Sequence, residues 1–91
     1  MKQRVRVVVT GRVQGVFFRA ETQRQALSLN IRGWVRNLPG GSVEALCEGT
    51  KEDVDRMIAW CRRGPRLASV DTVDINYEPY KGDFDGFIIS Y

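Results

Sequence analysis

The sequence contains no histidine among its 91 residues. Because imidazole is the side chain that most often accepts a proton near neutral pH, this absence excludes Ser-His-Asp and Cys-His catalysis, phosphohistidine intermediates and zinc sites with a histidine ligand. The two cysteines, Cys47 and Cys61, are too few and too widely spaced for a zinc site or a Cys-x-x-Cys redox motif. Any chemistry of this chain must therefore come from other side chains or from the backbone.

Long hydrophobic runs are also missing, since no apolar stretch approaches the roughly 18 residues that span a bilayer. The valine-rich tract near the N-terminus is too short for a signal peptide. We therefore expect no membrane interaction and a cytoplasmic location. In that compartment Cys47 and Cys61 are expected to be buried free thiols rather than a disulfide.

The composition is 43% hydrophobic and 27% charged, which is typical of a folded chain and predicts a single domain over residues 1–91. Its positive charge is concentrated in the first half. Residues 1–46 contain eight Lys or Arg and two Glu, whereas residues 47–91 contain six Lys or Arg and nine acidic residues. This excess of cations favours an anionic partner, which is either a small phosphate compound or a nucleic acid.

Hydrophobic periodicity predicts five strands and two helices. Val5, Val7 and Val9 alternate with polar residues, whereas Phe18, Thr22, Ala26 and Leu29 recur every three or four positions. The predicted elements are, in chain order, a strand over 3–10, a helix over 18–29, strands over 31–37 and 42–48, a helix from the Thr50 cap to Gly64, a strand over 73–77 and a short last strand over 87–91.

This order, β-α-β-β-α-β with a small extra strand, predicts an α+β fold of the ferredoxin-like α/β sandwich type. Right-handed crossovers place both helices on one face of a single antiparallel sheet. Val43, Ala45 and Cys47 are predicted to face those helices, with Glu44 and Glu48 on the open face.

The segment GRVQGVFFR, Gly11–Arg19, joins the first strand to the first helix. Gly11 and Gly15 allow the backbone to curl with its N–H groups inward, and the helix N-terminus adds unpaired donors and a positive dipole end. Arg19 adds a guanidinium whose fork of donors matches two phosphate oxygens. The segment therefore favours anion binding, although an ordinary strand-to-helix turn with a surface arginine has the same local pattern. Phe17 and Phe18 are predicted to fill the core.

Two motifs carry a resemblance to a known family. VTGRVQGVFFR, Val9–Arg19, resembles the signature of the acylphosphatases, and GWVRNLPGGSVEALCEG, Gly33–Gly49, resembles a second signature of the same family. The similarity continues through the second helix and GPRLASV, Gly64–Val70, so that it covers essentially the whole chain. Two long gapped motifs at the family's separation are rarely matched by chance.

The resemblance implies a small enzyme without metal or cofactor that hydrolyses acyl phosphates to a carboxylate and inorganic phosphate. It implies that Arg19 and Asn37 are the catalytic residues. The phosphate-binding loop that it implies consists of Gln14, Gly15, Val16, Phe17, Phe18 and Arg19. The expected partners are a small acyl phosphate substrate and inorganic phosphate, which is both product and competitive inhibitor, and the expected state is a monomer.

The alternation of the second strand agrees with the role that the resemblance gives to Asn37, because this residue shares the helix-side parity of Ile31 and Val35. Two positions depart from the family pattern. Asn30 stands where Gly is common and suits the same left-handed helix end. Ser90 stands where a basic residue is common, which leaves open any contact between the tail and the active site.

A non-catalytic ferredoxin-like module that binds phosphate-containing ligands or RNA is the alternative function. RNA is disfavoured because the open sheet face carries Glu44 and Glu48 and only one identifiable aromatic residue, Trp34. We therefore expect no nucleic-acid partner.

Overall fold

The computed structural model describes residues 1–91 and contains five strands and two helices. The elements are β1 (Lys2–Arg12), α1 (Phe18–Ser28), β2 (Arg32–Asn37), β3 (Val43–Thr50), α2 (Lys51–Arg63), β4 (Ser69–Glu78) and β5 (Phe87–Ile89). The predicted order is confirmed. The predicted bounds of the last two strands are wrong, because β4 begins at Ser69 rather than at residue 73 and β5 ends before Tyr91. Neither helix is long and apolar enough to cross a membrane.

The strands form one sheet in the order β4-β1-β3-β2-β5. The four longer strands are antiparallel to their neighbours, with Val7 opposite Ala45 on β3 and Ile75 on β4. The short strand β5 instead runs parallel to β2, where Val35 pairs with Ile89. The sheet is therefore mixed, and the expectation of a wholly antiparallel sheet holds only for β1 to β4. The fold is α+β and ferredoxin-like.

Both helices pack on the same face of the sheet, where α1 contacts β2 and β5 and α2 contacts β1, β3 and β4. The buried core residues from sheet and helices form one cluster, which includes Val5, Val7, Val9, Phe18, Ala26, Val35, Ala45, Val54 and Met57. These are the residues that the two periodicities place inward, so burial of apolar surface explains the placement of both helices.

The helix ends follow local chemistry. Helix α1 ends before Asn30, which has a left-handed φ of 56°, and the Ile31 N–H donates to the Ala26 carbonyl oxygen at 2.8 Å. Helix α2 begins at the Thr50 cap, whose hydroxyl accepts from the Asp53 N–H at 3.1 Å. Both ends agree with the sequence prediction.

The open face of the sheet is closed by ion pairs rather than left to solvent. Glu44 and Glu48 lie on the predicted face but are only 7% and 3% exposed. Glu44 accepts from Arg6 at 2.9 Å and pairs with Arg36 at 2.7 Å, and Arg4 pairs with Glu48 at 3.3 Å. Because the pairing arginines lie on the neighbouring strands, both carboxylates keep their charge partners when they are buried.

The Trp34 ring on this face is also occupied. The guanidinium carbons of Arg6 and Arg36 lie 5.8 and 5.0 Å from its ring centroid. Such cation–π contacts use the aromatic surface on which an RNA base would stack.

Cys47 and Cys61 are free and buried, as predicted. Burial raises the pKa of the Cys61 thiol to about 12. The pKa of Cys47 is also raised well above its ordinary value, first by burial and then by the proximity of Cys61. Both thiols are therefore protonated and poorly nucleophilic in the folded protein.

We expect neither thiol to react with a thiol-specific reagent in the native protein at pH 8, whereas both react promptly in denaturant. Because the unfolded chain loses these two protons at lower pH than the folded chain, stability also falls as the pH rises toward 12. Mass spectrometry of the labelled protein and urea unfolding at pH 8 and 10 measure the two effects. Fast labelling of either thiol in the native state would contradict the burial that we describe.

Candidate functional site

The loop between β1 and α1 spans residues 13–17 and contains the backbone freedom that an anion site needs. Gly15 has a φ of 74°, and a β-carbon built on it meets no atom within 4 Å. Gly11, by contrast, lies inside β1, where a β-carbon would collide with the carbonyl oxygen of Ser69 on β4. The expectation that both glycines shape the loop is wrong for Gly11, which is required by strand packing.

The backbone N–H groups of this loop and of the first helical turn have no acceptor in the protein. The backbone hydrogen bonds outside the helices and strands include none donated by residues 14–19. Helix α1 also lacks a side-chain cap, because its N-cap residue is Phe17. These donors are available to an anion at the positive end of the helix dipole.

Phe17 and Phe18 have opposite environments. Phe18 is 2% exposed and packs against Trp60, with the ring centroids 5.6 Å apart. Phe17 is 72% exposed and adopts a left-handed backbone with a φ of 61°. The prediction that Phe17 fills the core is wrong, because the left-handed turn that begins α1 directs its side chain to the surface.

Arg19 lies in the first turn of α1, is half-buried and forms no ion pair with any carboxylate. Its guanidinium carbon lies 5.0 Å from the centroid of the Tyr91 ring. The neighbouring Ser90 N–H donates to the Val35 carbonyl oxygen at 2.8 Å. The tail therefore does reach the site, despite the serine in place of a basic residue.

Asn37 is the last residue of β2, and its Oδ1 is a buried acceptor without a hydrogen-bond partner. A buried polar atom without a partner is costly in a folded protein and usually signals a function. This oxygen is free to accept a hydrogen bond from a bound water or ligand.

Contacts on two sides bring the loop and the end of β2 together. The Gln14 side chain donates to the carbonyl oxygens of Leu38 and Ser42, both at 2.9 Å, directly after Asn37. On the other side, the tail links Arg19 to Val35. This bridging role of the Gln14 side chain was not predicted, because nothing in its local sequence distinguishes a side-chain bridge from a loop position whose backbone binds a ligand.

The largest cavity, about 480 Å³, lies at the opposite end of the sheet and contains none of these residues. It is lined by Asn30, Arg32, Glu48 and Tyr80 among others. Glu48 is already paired with Arg4 and accepts from the Lys81 N–H at 3.0 Å. Cavity size is therefore a poor guide here, and the free donors and the free Asn37 acceptor identify the loop as the candidate site.

The arrangement is suited to a tetrahedral oxyanion. Loop N–H groups and Arg19 supply convergent donors and positive charge, while Asn37 supplies one neutral acceptor at the same end of the sheet. Donors that are fixed before the ligand arrives stabilise developing negative charge without reorganisation.

Comparisons with known proteins agree with this description. The family model for acylphosphatase matches residues 5–89. The chain is 53% identical over 91 residues to the acylphosphatase of Syntrophus aciditrophicus, covering 100% of this chain and 95% of that one. It is 55% identical over 89 residues to the acylphosphatase of Aeropyrum pernix, covering 97% and 88%.

A solved structure is also similar over its full length. The crystal structure of acylphosphatase from Bacillus subtilis superposes with a TM-score of 0.94 at 31% identity, covering 100% of both chains. The match therefore extends to the backbone as well as to the sequence, and the chain belongs to the acylphosphatase family.

Proposed function

We propose that the protein hydrolyses the carboxyl–phosphate anhydride of acyl phosphates, releasing a carboxylate and inorganic phosphate. The observation that carries this proposal is the pairing of free loop N–H groups with the unpartnered Oδ1 of Asn37 at one end of the sheet. Membership of the acylphosphatase family supports the same reaction.

In this proposal the phosphoryl oxygens are held by the N–H groups of Gln14 to Arg19 and by the Arg19 guanidinium. Gly15 leaves the entrance open because no β-carbon projects there. The absence of a carboxylate partner leaves both edges of the guanidinium available for a bidentate contact with phosphate. Positioning and charge neutralisation are the main requirements of phosphoryl transfer.

Asn37 orients the attacking water by accepting one of its hydrogen bonds. The water oxygen forms a bond to phosphorus while the bond between phosphorus and the carboxylate oxygen breaks, and the carboxylate leaves with the electron pair. The proton of the water passes to a non-bridging phosphate oxygen, which the substrate itself supplies. A carboxylate is a good leaving group, so the reaction needs no histidine and no strong general acid.

The alternative, a non-catalytic module that binds RNA or phosphate ligands, is less well supported. Trp34 is covered by Arg6 and Arg36, and Glu44 and Glu48 occupy the sheet face on which RNA would lie. The family similarity also favours the hydrolase.

We further propose that residues 1–91 act as one domain and as a monomer, since one chain supplies both Arg19 and Asn37. A cytoplasmic location is consistent with two buried free thiols, Cys47 and Cys61.

We expect the purified protein to hydrolyse benzoyl phosphate, with the loss of the acyl phosphate followed by absorbance. EDTA leaves the rate unchanged, because the positive charge in the proposed site comes from Arg19 and from backbone N–H groups. Inorganic phosphate inhibits competitively, because it occupies the same donors. Inhibition by EDTA that added metal reverses would contradict the proposed mechanism, and a lack of turnover would contradict the proposed function.

A further inference from the structure

A cleft of about 250 Å³ lies beside the phosphate-binding loop and takes no part in holding phosphate in the mechanism above. Its apolar lining consists of Val16, Phe17, Pro65 and Leu67. Val16 is 8% exposed, whereas Phe17 and Leu67 are 72% and 61% exposed. Two large apolar side chains from different loops are thus presented to solvent in one cleft.

The conformation of Phe17 suggests a reason for its exposure. A left-handed φ is sterically costly for a bulky residue, and here it directs an aromatic ring away from the core. The backbone of Phe17 is nevertheless fixed, because its carbonyl oxygen accepts from the Glu21 N–H at 3.0 Å. Strained and exposed apolar residues of this kind occur where a ligand is bound.

The cleft is continuous with the proposed phosphate site, because Val16 and Phe17 belong to both. In an acyl phosphate the carbonyl carbon is separated from phosphorus by a single oxygen atom. A phosphoryl group held by residues 14–19 therefore places its acyl group within a few ångströms of the loop surface. The apolar cleft is the recess at that surface that an acyl group can enter.

We propose that this cleft binds the acyl group and makes the enzyme prefer acyl phosphates with an aromatic or other apolar acyl group over acetyl phosphate. The proposal rests on the proposed hydrolysis of acyl phosphates. The cleft is smaller than the roughly 300–1,000 Å³ typical of drug-sized ligands, which suits a group the size of one ring. Contact with Phe17 and Leu67 buries apolar surface that acetyl phosphate lacks.

The charged residues of the cleft do not change this preference. Glu21 and Arg66 also line it and have opposite charges. Glu21 is paired with Arg24 at 3.6 Å, and its carboxylate repels an acyl group that carries a second carboxylate. An acyl group bearing a carboxylate that binds Arg66 is the competing possibility, and it predicts a different response to mutation.

The test compares kcat/KM for benzoyl phosphate with kcat/KM for acetyl phosphate in wild type and variants. We expect the benzoyl-to-acetyl ratio to fall roughly fivefold in Leu67→Ala and roughly tenfold in Phe17→Ala, because each removes part of an apolar contact in a half-open site. Leu27→Ala is the matched control, since Leu27 is similarly exposed at 56% but lines the cavity at the opposite end. That control retains the wild-type ratio.

The outcomes separate the two proposals. If wild type hydrolyses both substrates and neither Leu67→Ala nor Phe17→Ala changes the ratio, the cleft proposal is wrong while hydrolysis stands. If Arg66→Ala lowers activity on succinyl phosphate while Leu67→Ala leaves the ratio unchanged, the cleft serves charged acyl groups and the proposal is again overturned. If wild type hydrolyses neither substrate, the proposed function itself fails.

Discussion

Replacing Arg19 by alanine is expected to lower kcat/KM for benzoyl phosphate by roughly a thousandfold, a loss typical of an arginine that neutralises a transferring phosphoryl group. This corresponds to about 4 kcal/mol of transition-state stabilisation. Inhibition by inorganic phosphate weakens in parallel, because the same guanidinium holds the ground-state anion. Steady-state kinetics and a phosphate inhibition constant measure the two losses.

The structure indicates that this variant folds. Arg19 forms no ion pair, so its removal leaves no buried carboxylate without a partner, and only the contact with the Tyr91 ring is lost. Arg24→Ala is the matched control, because Arg24 lies on the same helix, is 81% exposed at its side chain and pairs only with Glu21. Equal losses in both variants would indicate a general effect of charge rather than a contact with phosphate.

Arg19→Lys refines the interpretation. Lysine keeps the positive charge but has no planar fork of donors, so it restores charge neutralisation without bidentate geometry. We expect its activity to lie between those of the alanine variant and wild type. Full activity in the lysine variant would show that charge alone is sufficient.

Most of the fold could be predicted because its pattern is local. Val5, Val7 and Val9 alternate within one strand, and Val54, Met57 and Cys61 recur with helical spacing, so each element signals its own buried face. The order of the elements then leaves few ways to bury those faces together. The parallel pairing of β5 could not be predicted, because a three-residue strand carries too little pattern to define its partner.

The burial of Glu44 and Glu48 was missed for a related reason. Alternating carboxylates in a strand normally indicate a solvated face. Here the compensating cations are Arg4 and Arg6 on β1, about 40 positions away, together with Arg36 on β2. Burial of a charge depends on such distant partners, so no local pattern reports it.

The candidate site was predictable in its residue types more than in its geometry. The motif identified Arg19 and Asn37, and parity placed Asn37 on the helix side of β2. The exposure of Phe17 follows from one left-handed residue, and the bridge from Gln14 to Leu38 spans 24 positions. Both depend on how the loop closes against neighbouring segments, which spacing alone does not specify.

Replacing Asn37 by alanine is expected to lower kcat by roughly a hundredfold to a thousandfold, the loss seen when one preorganised polar group is removed from a transition state. The inhibition constant of phosphate stays within about twofold of wild type, because the anion is held by the loop N–H groups and Arg19 rather than by Asn37. Kinetics and phosphate inhibition together distinguish orientation of water from binding of substrate.

Stability gives an independent measurement of the same role. The Asn37 Oδ1 is buried without a partner, so its removal relieves a desolvation cost instead of breaking a hydrogen bond. We therefore expect the melting temperature of Asn37→Ala to equal or exceed that of wild type while turnover is lost. Asn76→Ala on the exposed face of β4 is the matched control and retains full activity. A marked fall in melting temperature, or a wild-type kcat, would remove Asn37 from the mechanism, since a residue kept for catalysis at the expense of stability shows neither.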